Sequence, residues 1–136
     1  MIRNVFWIQI DPANNTRTLY CQGYDVDTTA FTGTPQPYIA GIDSMQFLYG
    51  ISSTIGGDVE RFVNANNVAD WSTVRAVKIA VLAQSALDDN NPPNANAQNY
   101  VLLDNPPIPF NDGRTRYVFF NYRIFVKHYL IGEHLC

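Results

Sequence analysis

His128 and His134 are the only imidazoles in the chain and stand six positions apart. Two ligands to one metal need i,i+4 spacing on a helix face or i,i+2 on a strand face. A separation of six suits neither, so both read as exposed tail histidines. Oxygen donors gather in Asp88-Asp89-Asn90-Asn91 and at Asp58 and Glu60. Calcium accepts such donors but needs roughly six to eight of them. Neither stretch has the order of an EF-hand loop, so both read as solvated turns. The serines lack a G-x-S-x-G setting, and no glycine-rich phosphate loop is present. The reading therefore assigns no catalytic, cofactor-binding or metal-ligating residue and expects a protein that is not an enzyme. Cys21 and Cys136 make an even count. In an oxidising compartment they could pair, closing a loop on the order of 100 residues worth about 4–5 kcal/mol by chain entropy. Cys21 could equally pair with a cysteine outside this sequence. With no C-x-x-C, zinc is not indicated.

The elements that would carry these residues are strands. The chain has 136 residues, a net charge of -3 and 13% aromatics. Such a length fits one domain, 1–136, with one core. The acidic balance argues against a broad nucleic-acid surface. The apolar content is too high for a disordered chain. No apolar run approaches the roughly 20 residues that cross a bilayer as a helix.

Val5–Ile10, rich in β-branched and aromatic residues, predicts a strand. Asp11–Asn15 predicts a turn, and Arg17–Gln22 its hairpin partner. Gly23–Pro37, with its glycines, threonines and two prolines, predicts a loop. Phe47-Leu48-Tyr49 before Gly50 favours a strand, followed by a turn around Gly56-Gly57 and a short strand over Val59–Val63. Asn64 is a candidate helix cap; one helical turn over Ala65–Ala69 would be pinned to the sheet by Val68 and Trp71. Val74–Ser85 predicts a central strand, since both of its faces are largely apolar. Leu87–Gln98 and Asp104–Gly113 read as loops, with a short edge strand over Tyr100–Leu103. Tyr117–Lys127 predicts a last strand, with Val118, Phe120, Tyr122, Ile124 and Val126 on one face and Phe119 and Phe125 on the other. The expected fold class is mainly β: one or two antiparallel sheets of about six strands, with short helical inserts.

The order of residues from Ile39 to Ser85 resembles one family. PilW-type minor pilins of type IV pilus systems carry a glycine, an acid and an M-Q-F-L-Y-G run, matched here by Gly41, Ile42, Asp43, Met45, Gln46, Phe47, Leu48, Tyr49 and Gly50. Arg61, Phe62 and Val63 follow, then Val68, Asp70, Trp71, Ser72 and Val74, then Val77 to Leu82. Arg114, Arg116, Val118, Phe119 and Ile124 fit the family's last strand, whereas His128–Cys136 departs from its usual ending. The resemblance implies the C-terminal globular part of a pilin, lacking the N-terminal helix that anchors such proteins in the inner membrane and the filament, with Met1 an added start. It implies a structural role without cofactor: a minor pilin that joins other minor pilins and the major pilin to prime assembly near the pilus tip. Its place would be the periplasmic face of the inner membrane, then the extracellular pilus. Three surface elements are the expected contacts: Gly23–Pro37, Leu87–Gln98 and the outward side of Tyr117–Lys127. Two other readings stand beside it. One is a minor pseudopilin of type II secretion; the other is a β-sandwich module binding carbohydrate or a host surface through Trp7, Tyr24 or Tyr38.

Overall fold

The computed structural model describes residues 1–54, 56–85, 98–112 and 114–124, with 122–124 as backbone. The first turn forms as its residues dictate. The Asp11 carboxylate accepts from the Ala13 N–H at 2.9 Å, and the Asn14 side chain accepts from the Thr16 N–H at 2.9 Å. Asn15 takes a left-handed φ of 53°, which asparagine tolerates. The turn joins β1 (Ile2–Asp11) to β2 (Thr16–Asp25), antiparallel from Ile2 opposite Asp25 to Asp11 opposite Thr16.

The loop expected over Gly23–Pro37 is a strand for most of its length. β2 runs on to Asp25, and β3 (Ala30–Ala40) returns along it to complete a sheet of order β1-β2-β3. Prolines persist there because β3 lies on the sheet edge, where one side of the strand has no ladder to donate to. Register shifts at Leu19/Tyr20 and Cys21/Gly23 absorb the misfit. The Gln22 side-chain amide donates to the carbonyl of Gly33, which sits at a φ of 67°. β3 is exposed along all its length, so the expectation of a surface element holds although the loop does not.

The second sheet has the order β5-β4-β6-β9, built from β4 (Ile42–Ile51), β5 (Arg61–Val63), β6 (Val74–Gln84) and β9 (Arg116–Ile124). β6 lies between β4 and β9, as its two apolar faces require. A hairpin of β7 (Gln98–Tyr100) and β8 (Ile108–Phe110) is separate. The predicted edge strand thus begins earlier than Tyr100, and the predicted loop Asp104–Gly113 contains a strand. Leu102, Ala80 and Leu82 are fully buried together, with Tyr100, Ile108, Phe110 and Val118 packed round them. The sheets are antiparallel throughout, and the fold is mainly β as expected. Among the described residues no helix is long and apolar enough to cross a membrane.

Between the sheets the chain passes through Gly41, at a φ of 80°. Its N–H donates to the Arg17 carbonyl and its own carbonyl accepts from the Gln84 N–H, both at 2.8 Å. One glycine thus ties the first sheet to β6. A side chain there would force an L-residue into the left-handed region and touch Gln84 at 3.4 Å. Gly41→Ala is expected to lower stability by about 1–2 kcal/mol in urea unfolding.

The helical insert is shorter than expected. It consists of two single 3-10 turns, Ala65–Asn67 and Trp71–Thr73. Asn64 makes no side-chain cap; Asp70 does, accepting from the Ser72 N–H at 2.9 Å. That bond holds the Asp70 carboxyl below its usual range. Val68 is buried and pins the insert, but Trp71 remains 56% exposed, edge-on to Tyr49 at 4.9 Å.

Candidate functional site at the sheet junction

The strand β4 carries Asp43 at its second position, between Ile42 and Ser44, and β9 begins with Arg116. The fold brings them together, 73 positions apart in sequence, where both side chains are almost fully buried. Arg116 Nε donates to Asp43 Oδ2 at 2.6 Å. Its two terminal nitrogens form a fork on Asp112, at 2.7 Å and 2.5 Å. The guanidinium also lies 3.6 Å from the centre of the Phe110 ring, a cation–π contact from β8. Arg17 donates to the Asp43 carbonyl at 3.2 Å and Arg114 to the Gln84 side chain at 3.1 Å. One guanidinium therefore joins β4, β9, β8 and the turn before β9.

Burial pulls the Arg116 pKa down, but its hydrogen bonds to Asp112 and Asp43 outweigh that and hold it raised. The hydrogen bond from Arg116 lowers the Asp112 carboxyl to about 2. A guanidinium that stays charged cannot pass a proton. The cluster is thus built to hold strands, with two carboxylates and a planar fork satisfying one another.

Asp112 supplies a pH signature. Its folded pKa lies below the unfolded value, so its stabilisation is present above about pH 4 and lost as pH falls towards 2. Its side chain is 46% exposed, so solvent screening keeps the contribution small. Asp112→Asn is expected to lower stability at pH 7 by a small amount and to flatten the acid limb of a stability-against-pH curve by that same amount. An acid limb identical to that of the unaltered protein would contradict this assignment.

The structure also disposes the other singled-out residues. Glu60 accepts from the Ser53 N–H at 2.9 Å and from its hydroxyl, which lowers the Glu60 pKa. It closes its loop on Ser53, and Asp58 joins no ligand set. Among the described residues no three His, Cys, Asp or Glu side chains stand together. Asp88, Asp89, His128, His134 and Cys136 lie outside the described residues, as do nearly all of Leu87–Gln98 and the strand end Phe125–Lys127. Cys21, on the central strand β2, is fully buried. The three candidate platform aromatics do not form one row. Trp7 stacks on Tyr20 at 6.0 Å and Tyr24 meets Phe31 edge-on at 5.3 Å, whereas Tyr38 meets Phe6, on the opposite side of β1 from Trp7. Tyr117 and Phe119, on the outward face of β9, are 56% and 60% exposed, and Phe120, on the opposite face with Val118, is 64% exposed.

Sequence reasoning singled out Asp43 and Arg116 only as motif positions; it did not pair them. The available signal was an acid near the start of a largely apolar strand, which must find a cation when buried. Gly50 is explained in the same way: a side chain there would come within 2.8 Å of Val59 and 2.9 Å of Phe62. A family model described as Type IV Pilus-assembly protein W matches residues 5–124. Neither a curated protein nor a solved structure matches the chain.

Proposed function

The chain belongs to the type IV pilus-assembly protein W family, and from that premise we propose that it acts as a structural minor pilin. The family places it in type IV pilus assembly; the finer role is our reading. In it, residues 1–136 work as one globular unit that joins other minor pilins and the major pilin in the complex that primes the filament, near its tip. An N-terminal helix would hold it at the periplasmic face of the inner membrane before extraction to the extracellular pilus. The carrying observation is what the motif residues do. Gly41 links the sheets, Ile42 and Leu48 are buried, Asp43 pairs with Arg116, and Gly50 admits its neighbours. Each builds the scaffold, which suits a protein that works by presenting surfaces.

Those surfaces are the exposed strand β3 and the outward aromatics of β9. The test is a pull-down of this domain against the soluble domains of the minor pilins encoded beside it. Stoichiometric capture, weakened by Phe119→Ala with Tyr117→Ala, is expected. A folded domain that captures none of them would overturn the role.

A further inference from the structure

β9 is a sheet edge with aromatics on both of its faces. It runs nine residues without proline, and among the described residues no strand lies on its outer side. Phe119 and Phe120 are neighbours in sequence, project to opposite faces, and are both more than half exposed. Proteins usually blunt such an edge with proline, a bulge or brevity. β5, at the other end of the same sheet, has three residues, and β3 has two prolines and two register shifts. β9 has none of these devices. It pairs with β6 from Arg116 to Ile124 without a register shift, and Tyr117–Asn121 contains no charge.

The hydrogen bonds fix which residues can pair outward. The Ser85 N–H donates to the Thr115 carbonyl at 2.8 Å, one step beyond the pair of Gln84 with Arg116. Hydrogen-bonded pairs alternate along an antiparallel ladder. The odd-numbered residues of β9 therefore turn their N–H and C=O groups towards β6. The even-numbered ones turn theirs outward. Gln84 agrees with this phase: its N–H points away from β9, to the Gly41 carbonyl. Val118 and Phe120 thus present the backbone groups that a further strand would take up.

A second copy related by a two-fold axis must match even residues with even residues. One such register sets Val118 opposite Phe120 twice, in hydrogen-bonded pairs. It also sets Tyr117 opposite Asn121 and places Phe119 on the axis, opposite its own copy. Phe119 then occupies a non-hydrogen-bonded position, where side chains stand closest. Both exposed phenylalanines gain an apolar partner. Shifting one way sets Phe120 opposite Arg116, whose side chain is buried and already held by Asp43 and Asp112. Shifting the other way sets Phe119 opposite the polar Asn121. We propose that two copies of this chain associate edge to edge through β9, with Phe119 on the two-fold axis, making one antiparallel sheet of eight strands. This stands independently of the pilus role, although a pilin partner on the outward face would compete for Phe119.

Sedimentation velocity over a concentration series tests it. The unaltered chain should show a reversible monomer–dimer equilibrium. Phe119→Asp sets two carboxylates against each other on the axis and should weaken dimerisation by about tenfold or more. Phe120→Pro removes an outward N–H without touching the β6–β9 ladder and should abolish the dimer, with the circular dichroism of the fold retained. Cysteine pairs read the register. A mixture of Tyr117→Cys and Asn121→Cys chains should form a disulfide-linked dimer under mild oxidation, which neither variant forms alone. A chain that stays monomeric, a dimer indifferent to Phe119→Asp and Phe120→Pro, a mixture of cysteine variants that does not cross-link, or association only with another pilin domain would each overturn the proposal.

Discussion

Arg116→Ala should destabilise the protein by about 3–5 kcal/mol, the usual cost of leaving one partner of a buried ion pair uncompensated. The reason is Asp43. With Arg116 gone, its carboxylate stays within β4, 5% exposed, beside apolar neighbours and without the 2.6 Å bond that now neutralises it. Domains of this kind have only about 5–15 kcal/mol in hand, so the variant should unfold at a much lower urea concentration. Asp112, half in water, supplies little of the loss. The comparison that isolates the mechanism is the double variant Asp43→Leu with Arg116→Met. Replacing both charges by apolar groups removes the orphan and should recover most of the lost stability. If Arg116→Ala instead shifts the midpoint by less than about 1 kcal/mol, the pair is not what joins β4 to β9. Loss of partner binding by Arg116→Ala that the double variant restores would show that the cluster acts through the scaffold.

The same residues show what could be read before folding and what could not. β6 was legible because local pattern and tertiary position agree: an uninterrupted apolar run has to be covered on both faces, and it is flanked by β4 and β9. The Asp11–Asn15 turn was legible because its bonds are all local. β3 was not. Its prolines, Gly33 and threonines carry every local sign of a loop, and only the ladder offered by β2 makes them extended. The short strand β8 was hidden in the same way by Pro107 and Pro109. Asn64 and Asp70 look alike as caps in sequence; the difference is the path of the chain, which leaves Asp70 within reach of Ser72 and Asn64 without a bond. The Asp43–Arg116 pair was half legible. Burial of Asp43 demands a cation, but nothing local chooses Arg116 over Arg114, which the fold sends to Gln84 instead.

Breaking a Cys21–Cys136 bond should have the other large effect. The pairing is a proposal, because Cys136 lies outside the described residues, and its motive is the place of Cys21. Cys21 is fully buried on β2, between Phe6 of β1 and Gln36 of β3 in register. A bond from there to the C-terminus closes a loop on the order of 100 residues, for which chain entropy gives about 4–5 kcal/mol and experience about 2–4. Cys136→Ser is therefore expected to cost about 2–4 kcal/mol in urea unfolding. Dithiothreitol should reproduce that loss in the unaltered chain and add nothing in the variant. Cys21→Ser should cost more still, because it also buries a hydroxyl where an apolar sulfur now sits, worth roughly a further 1–3 kcal/mol. The ordering of the two variants separates the mechanisms. If Cys136→Ser is neutral while Cys21→Ser remains costly, and two thiols titrate in the denatured oxidised protein, Cys21 is a small packed apolar group and the bond does not exist. If both are costly and no thiol titrates, the C-terminus is tied to the strand that β1 and β3 flank.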